Sequence, residues 1–120
     1  MLSLPPIHIL LCTRHADMRK SFDGLAQLVR EFLEADPLSG HLFVFRSKRG
    51  DRVKLLYWDE DGFAIWYKRL EQGTFRFPAT VGEQYGVAIR AADLTMLLDG
   101  VDLSSVQRRQ RYRRPEAAAK

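Results

Sequence analysis

The 120-residue chain has the length of one domain, and its 46% hydrophobic and 28% charged residues are ordinary for a globular protein. The single cysteine, Cys12, excludes an intrachain disulfide and fits a reducing compartment. The apolar residues 2–12 are too few to cross a bilayer and follow no basic segment, so we expect no signal peptide and no membrane anchor. A cytoplasmic protein is expected.

The net charge of +4 is concentrated near the carboxyl end. Residues 104–120 hold six of the 19 basic side chains and one of the 15 acidic ones, so the rest of the chain is nearly neutral. Such a segment is typical of an arm that binds nucleic acid, and also of a solvated terminus. We expect one α+β domain over residues 1–103 and a basic, flexible tail over residues 104–120.

The first third of the chain predicts a strand and a long helix. Residues 7–12 form a short apolar run after two prolines, which favours a strand at a sheet edge. Asp17 is a suitable N-cap for a helix that ends near Ala35, because Asp36 precedes a proline. Apolar residues recur at helical spacing and form its stripe: Phe22, Leu25, Ala26, Leu28, Val29, Phe32 and Leu33.

The middle of the chain predicts three strands joined by tight turns. Residues 42–46, 52–58 and 63–70 are rich in aromatic and β-branched side chains. The loop at 47–50 is polar, and the acidic loop at 59–62 has the composition of a type I turn closed by a left-handed Gly62. This pattern predicts an antiparallel meander.

The remaining residues complete an α+β fold. Residues 79–86 predict a loop, residues 87–90 a last short strand, and residues 91–99 a second helix that stops at Gly100. We therefore expect a single domain in which an antiparallel β-meander of about four to five strands carries a long helix on one face, with a second short helix near the C-terminus.

Alternation along the strands predicts one apolar and one basic, solvated face. Val53, Leu55 and Tyr57 share the apolar face, whereas Arg52 and Lys54 lie on the other. The predicted core packs the helix residues Phe22, Leu25, Val29 and Phe32 against Val53, Leu55 and Ile65.

The basic face is a candidate nucleic-acid interface, because Arg and Lys neutralise phosphates and exposed tryptophans stack on unpaired bases. The alternative is that both tryptophans belong to the core and that the charges only solvate the sheet. The hypothesis assigns DNA contact to Arg46, Lys48, Arg49, Arg52, Lys54, Trp58, Trp66, Lys68 and Arg69, and in the tail to Arg108, Arg109, Arg111, Arg113 and Arg114.

No catalytic, metal-binding or cofactor-binding set is predicted. The carboxylates of residues 59–61 are adjacent, but consecutive residues at a hairpin tip point in different directions. His8, Cys12 and His15 lack the second pair of ligands that a closed zinc site needs. The chain contains no nucleophile elbow and no phosphate-binding loop.

Several blocks of the sequence together carry a family resemblance. They are Asp-Met-Arg-Lys-Ser-Phe-Asp-Gly-Leu at 17–25, Pro-Leu-Ser-Gly-His-Leu-Phe-Val-Phe at 37–45, Arg-Gly-Asp-Arg-Val-Lys-Leu-Leu-Tyr-Trp-Asp at 49–59, Tyr-Lys-Arg-Leu-Glu at 67–71 and Leu-Thr-Met-Leu-Leu-Asp-Gly-Val-Asp-Leu at 94–103. From about residue 5 to residue 103 the chain resembles the small accessory proteins, called TnpB, of bacterial insertion sequence 66 elements. That family often has a tryptophan where Leu103 stands here. It is unrelated to the RNA-guided nucleases that share the TnpB name.

The resemblance implies a role in DNA transposition beside a separate, larger transposase, and it supplies no catalytic residues. We expect a non-catalytic accessory protein that binds DNA with weak sequence specificity, the transposase, or both. A homo-oligomer is compatible with the sequence. The alternative is a protein–protein adaptor with no direct DNA contact, and a metal-dependent nuclease is the least favoured function.

Overall fold

The computed structural model describes residues 7–78 and 85–100, which form a five-stranded sheet and two helices. The predicted tail at 104–120 lies outside the described residues, as does most of the predicted loop at 79–86. In chain order the elements are β1 (Ile9–Cys12), α1 (Phe22–Phe32), β2 (Leu42–Arg46), β3 (Arg52–Asp59), β4 (Gly62–Arg69), β5 (Gly86–Ile89) and α2 (Ala91–Leu98).

The sheet is mixed, with the strand order β4-β3-β2-β1-β5. Its β2–β3–β4 part is the predicted antiparallel meander, with β3 and β4 paired from Arg52↔Arg69 to Asp59↔Gly62. β1 runs parallel to β2 and also pairs with β5, so the predictions of an edge strand and of an antiparallel arrangement throughout were wrong. The two prolines precede β1 in the sequence and lie outside the described residues, so they do not decide where β1 sits in the sheet.

The first helix is shorter than the sequence predicted. α1 has 11 residues and begins after Ser21, whereas Asp17 lies in the preceding loop and its carboxylate accepts hydrogen bonds from Arg19. The helix ends at Phe32 because Glu34 adopts a left-handed conformation with φ of 50°. The prediction of a helix from Asp17 to Ala35 was therefore wrong at both ends. The chain turns before the proline at residue 37 can act as the stop.

α1 covers the face of the sheet that was predicted to be solvated. Leu25, Ala26 and Val29 of α1 are buried in one cluster with Phe43 and Leu56 of the sheet. Phe22, at the start of the stripe, is 45% exposed. The face that carries Lys54 and Leu56 is thus a core face, and the prediction of a wet basic face fails at its centre.

The opposite face is buried too. Val53 and Leu55 form a second cluster with Phe75 and with Leu94 and Leu97, which places α2 and the chain after β4 on this side. The predicted packing of α1 against Val53 and Leu55 was wrong. Strand alternation separates two faces, but it does not say which helix covers which face when both are apolar.

Ile65 lies on the α1 side, because its cross-strand partner in the β3–β4 ladder is Leu56. The hairpin pairs Asp59 directly with Gly62, so the loop has only two residues, and the left-handed residue is Glu60 (φ 54°) rather than the predicted Gly62. The predicted stop of α2 at Gly100, with φ of +88°, is confirmed. No helix within residues 7–78 and 85–100 is long and apolar enough to cross a membrane.

Candidate nucleic-acid interface

A basic cleft of about 410 Å³ lies at the end of the sheet where β1 and β2 finish and β3 begins. Four of its lining residues carry positive charge and none carries negative charge. We call it the basic cleft, and it is lined by Thr13, Arg46, Lys48, Arg49, Gly50, Thr74, Phe75, Arg76, Phe77 and Pro78. Such a group of cations without a compensating carboxylate attracts anions.

Backbone hydrogen bonds hold the two segments that form the basic cleft. The turn between β2 and β3 is closed by a bond from the Gly50 amide to the Ser47 carbonyl (3.0 Å), and Gly50 has a φ of +81°. The Phe75 amide in turn donates to the Gly50 carbonyl (2.7 Å), and the Phe75 side chain is buried. The anchored Phe75 therefore keeps Arg76 on the same cleft as the turn residues Lys48 and Arg49.

Arg46 is the one partly buried residue among the four positively charged residues of the basic cleft. One guanidinium nitrogen, Nη2, donates to the Thr13 carbonyl (2.8 Å), and the guanidinium carbon lies 5.6 Å from the centre of the Phe77 ring. Its Nε is buried and has no hydrogen-bond partner among the described residues. Arg46 is thus fixed in place while one donor is left unused.

Lys48, Arg49 and Arg76 are exposed and form no ion pair within the described part of the chain. Lys48 and Arg49 also line a neighbouring cleft of about 390 Å³ together with Arg52. That second cleft contains acidic residues, and Asp17 there is paired with Arg19 at 2.7 Å. The Lys48–Arg49 turn therefore separates two clefts, of which the basic cleft is the more positive.

Lys54 does not belong to the interface, contrary to the sequence prediction. Its side chain is buried under the loop that leads into α1, where the ammonium donates to the backbone carbonyls of Met18 (2.8 Å) and Lys20 (2.7 Å). The same ammonium lies 4.7 Å from the centre of the Tyr67 ring. The alternating pattern placed Lys54 on the correct face but could not show that a loop covers it.

The other predicted contacts do not share one surface. Trp58 packs edge-on against Phe63 at 5.0 Å on the α1 side, whereas Trp66 lies on the opposite face and is 42% exposed. Lys68 is exposed on the Trp66 side, and Arg69 forms a 3.0 Å ion pair with Glu71. The five tail arginines, Arg108, Arg109, Arg111, Arg113 and Arg114, lie outside the described residues.

Sequence reasoning missed Arg76, which completes the basic cleft. The signal was present in Phe-Arg-Phe-Pro at residues 75–78, where the side chains alternate between buried Phe75, exposed Arg76 and partly buried Phe77. This segment is not a strand, so strand periodicity gave no reason to place it beside the β2–β3 turn.

His8, Cys12 and His15 are the residues that could have suggested a metal centre. Within residues 7–78 and 85–100, no three His, Cys, Asp or Glu side chains come together to hold a metal ion. The ring nitrogen Nδ1 of His41 accepts a hydrogen bond from the His8 amide (3.0 Å). Cys12 is buried below α1, and this burial raises the pKa of its thiol.

Comparison with known proteins places this chain in a family. Residues 7–108 match the family model of the IS66 Orf2 like protein, TnpB_IS66. Two similar proteins come from Sinorhizobium fredii (strain NBRC 101917 / NGR234), and both bear names that describe them as uncharacterized. Protein y4hO is 40% identical over 96 residues, covering 80% of this chain and 82% of its own length. Protein y4jC is 35% identical over 113 residues, covering 94% of each. No solved structure matches the chain significantly.

Proposed function

Because the chain belongs to the IS66 Orf2-like family, it is an accessory protein associated with transposition, and we propose that it acts without catalysis by binding DNA at the basic cleft. The observation that carries this proposal is the convergence of Arg46, Lys48, Arg49 and Arg76 on one cleft without an acidic residue. Phosphates of a DNA backbone are the natural anionic partner for such a set in a protein that works on an insertion sequence.

The chemistry of the cleft favours weak sequence specificity. Exposed Lys48, Arg49 and Arg76 can neutralise phosphates, and contacts to phosphates position a protein without reading the bases. The partly buried Arg46 adds a donor held at a fixed place, beside the ring of Phe77. The arginine-rich tail adds further positive charge to the same chain, which would strengthen binding without making it more selective.

A second function, docking on the transposase, is favoured by a different feature of the molecule. Trp66 and Tyr67 of β4 are exposed large side chains, and aromatic residues are enriched in protein–protein interfaces. They lie on β4, the strand farthest from β1 and β5 in the sheet. The two side chains lie on opposite faces of the sheet, so an adaptor without DNA contact would bind around β4.

Fluorescence anisotropy of labelled duplexes with the purified full chain tests the proposal. One duplex carries an end of the element and the other an unrelated sequence of equal length. We expect binding to both at low salt with similar affinity, and no cleavage of either when magnesium or manganese is added. A protein that binds the purified transposase but neither duplex would be an adaptor. Cleavage that disappears in Asp59→Ala or Asp61→Ala would overturn the non-catalytic part of the proposal.

A further inference from the structure

The strand β4 forms a free edge of the sheet. It pairs over its whole length with β3, and in the part of the chain that the structure describes no strand pairs with its other side. With eight residues and no proline, β4 is twice as long as β5 at the opposite edge. Long edges of this kind are templates for pairing with another strand unless something protects them.

The direction of the hydrogen bonds shows which residues face outward. The Leu70 amide donates to the Asp51 carbonyl of the neighbouring segment (2.7 Å). The backbone N–H of Leu70 therefore points toward β3. Because the pattern alternates along an antiparallel ladder, Phe63, Ile65, Tyr67 and Arg69 direct their amide and carbonyl groups toward the free edge. These groups need a partner or water.

The two ends of this edge carry opposite charges. The turn before β4 carries Glu60 and Asp61 and follows Asp59 at the end of β3, whereas β4 finishes with Lys68 and Arg69, of which Arg69 also pairs with the following Glu71. A second copy of β4 laid antiparallel about a two-fold axis at Ile65 pairs Gly62 of one copy with Lys68 of the other and brings Asp61 of the adjoining turn next to Arg69 of the other copy, twice. The same register pairs the outward-facing Phe63 with Tyr67, and aromatic and opposite-charge cross-strand pairs stabilise a sheet.

We propose that two copies of this chain associate through β4, antiparallel and centred on Ile65, to form a continuous ten-stranded sheet. A closed two-fold dimer uses the same surface on both copies, which is what a strand with complementary ends provides. The charge distribution favours a second copy over an unrelated strand, because the acidic turn of each copy lies beside Lys68 and Arg69 of the other.

The arrangement has a consequence for the basic cleft, which lies at the Arg69 end of β4. Since the two strands run in opposite directions, the dimer carries its two clefts at opposite ends of the joined sheet. The self-association itself rests only on β4 and does not depend on DNA binding.

A charge swap tests the proposed register without DNA. Sedimentation equilibrium of the full chain at low salt should show a monomer–dimer equilibrium for the wild type. Asp61→Arg and Arg69→Asp should each weaken the dimer by roughly tenfold, since two cross-strand pairs become like-charged. The double variant should recover a dimer close to wild type in strength. A wild type that stays monomeric, or single variants that dimerise normally, would overturn the proposal.

A second comparison tests edge pairing independently of charge. Tyr67→Pro and Tyr67→Ala both remove the aromatic ring, but only the proline also removes the outward-facing amide. We expect Tyr67→Pro to dimerise more weakly than Tyr67→Ala, with circular dichroism showing both to be folded. Equal dimerisation of the two folded variants would show that the β4 edge is not used.

Discussion

The side-chain ammonium of Lys54 donates a hydrogen bond to the backbone carbonyl of Lys20 at 2.7 Å. It donates a second one to the Met18 carbonyl at 2.8 Å, so β3 holds the loop that leads into α1. Lys54 is only 8% exposed and forms no ion pair within the described residues. Its charge is compensated by backbone dipoles and by the face of the Tyr67 ring.

Replacing Lys54 should therefore destabilise the protein. Lys54→Met keeps most of the apolar stem but leaves the carbonyls of Met18 and Lys20 without this donor. We expect a loss of roughly 1.5–3 kcal/mol in the free energy of unfolding, the range for hydrogen bonds to a charged group. Urea denaturation measures it.

Lys20→Ala is the matched control, because Lys20 is exposed and contributes only its backbone carbonyl to this contact. We expect a change within about 0.5 kcal/mol for that variant. Equal stability of Lys54→Met and wild type would mean that the buried ammonium does not anchor the loop.

Truncations on the two helices test whether both faces of the sheet are core. Leu25 of α1 and Leu97 of α2 are each fully buried, in different clusters. Leu25→Ala and Leu97→Ala should each cost roughly 2–5 kcal/mol in unfolding free energy. Leu38→Ala, at a position 48% exposed, should change little. A neutral Leu97→Ala would argue that α2 does not pack on the sheet.

Gly50→Ala should lower the stability of the protein more than Gly40→Ala, at another left-handed glycine. Gly40 (φ +87°) and Gly50 (φ +81°) both have conformations that cost an alanine roughly 1–2 kcal/mol. A Cβ at position 50 would also lie 3.3 Å from Cβ of Thr74, whereas a Cβ at position 40 has open space. Thermal unfolding should therefore rank Gly50→Ala below Gly40→Ala in stability. The reverse order would contradict the close packing of the β2–β3 turn against Thr74.

The Asp17–Arg19 pair should lower the pKa of Asp17 in an acid titration. Hydrogen bonds from Arg19 lower the pKa of Asp17 from 3.8 to about 2. Because the folded-state pKa is depressed, any stabilisation by this carboxylate is present above about pH 4 and is lost as the pH falls from 3.8 to 2. In an NMR titration, Arg19→Ala should raise the pKa of Asp17 toward its ordinary value. An unchanged pKa would show that the Arg19 side chain is not the cause, because the backbone amide of residue 19 remains in the variant.

The residues that form each strand were predictable from the sequence, but the order of the strands in the sheet was not. β2 matches the predicted residues 42–46, and the other strands differ by one or two residues at their ends. β-branched and aromatic runs between glycine-containing turns mark such strands reliably. The place of β1 beside β2 depends on the crossover through α1, which local patterns do not encode.

The candidate site was predictable only in part, for a similar reason. Lys48 and Arg49 follow from the turn composition, since a polar loop between strands is exposed. The burial of Lys54 depends on carbonyls more than 30 residues away, and the position of Arg76 depends on the hydrogen bond between Phe75 and Gly50. Long-range contacts of this kind leave no periodic signal in the sequence.

The salt dependence of DNA binding in two doubly substituted proteins tests the central claim most directly. Arg49→Ala with Arg76→Ala removes two charges from the basic cleft, whereas Lys20→Ala with Arg30→Ala removes two exposed charges that line neither the basic cleft nor its neighbour. If each cleft arginine meets one phosphate, the log–log slope of affinity against salt should fall in magnitude by about 0.9 per arginine in the first protein. The slope of the second should stay at the wild-type value. Equal slopes in the two variants would mean that net charge, and not the basic cleft, binds DNA.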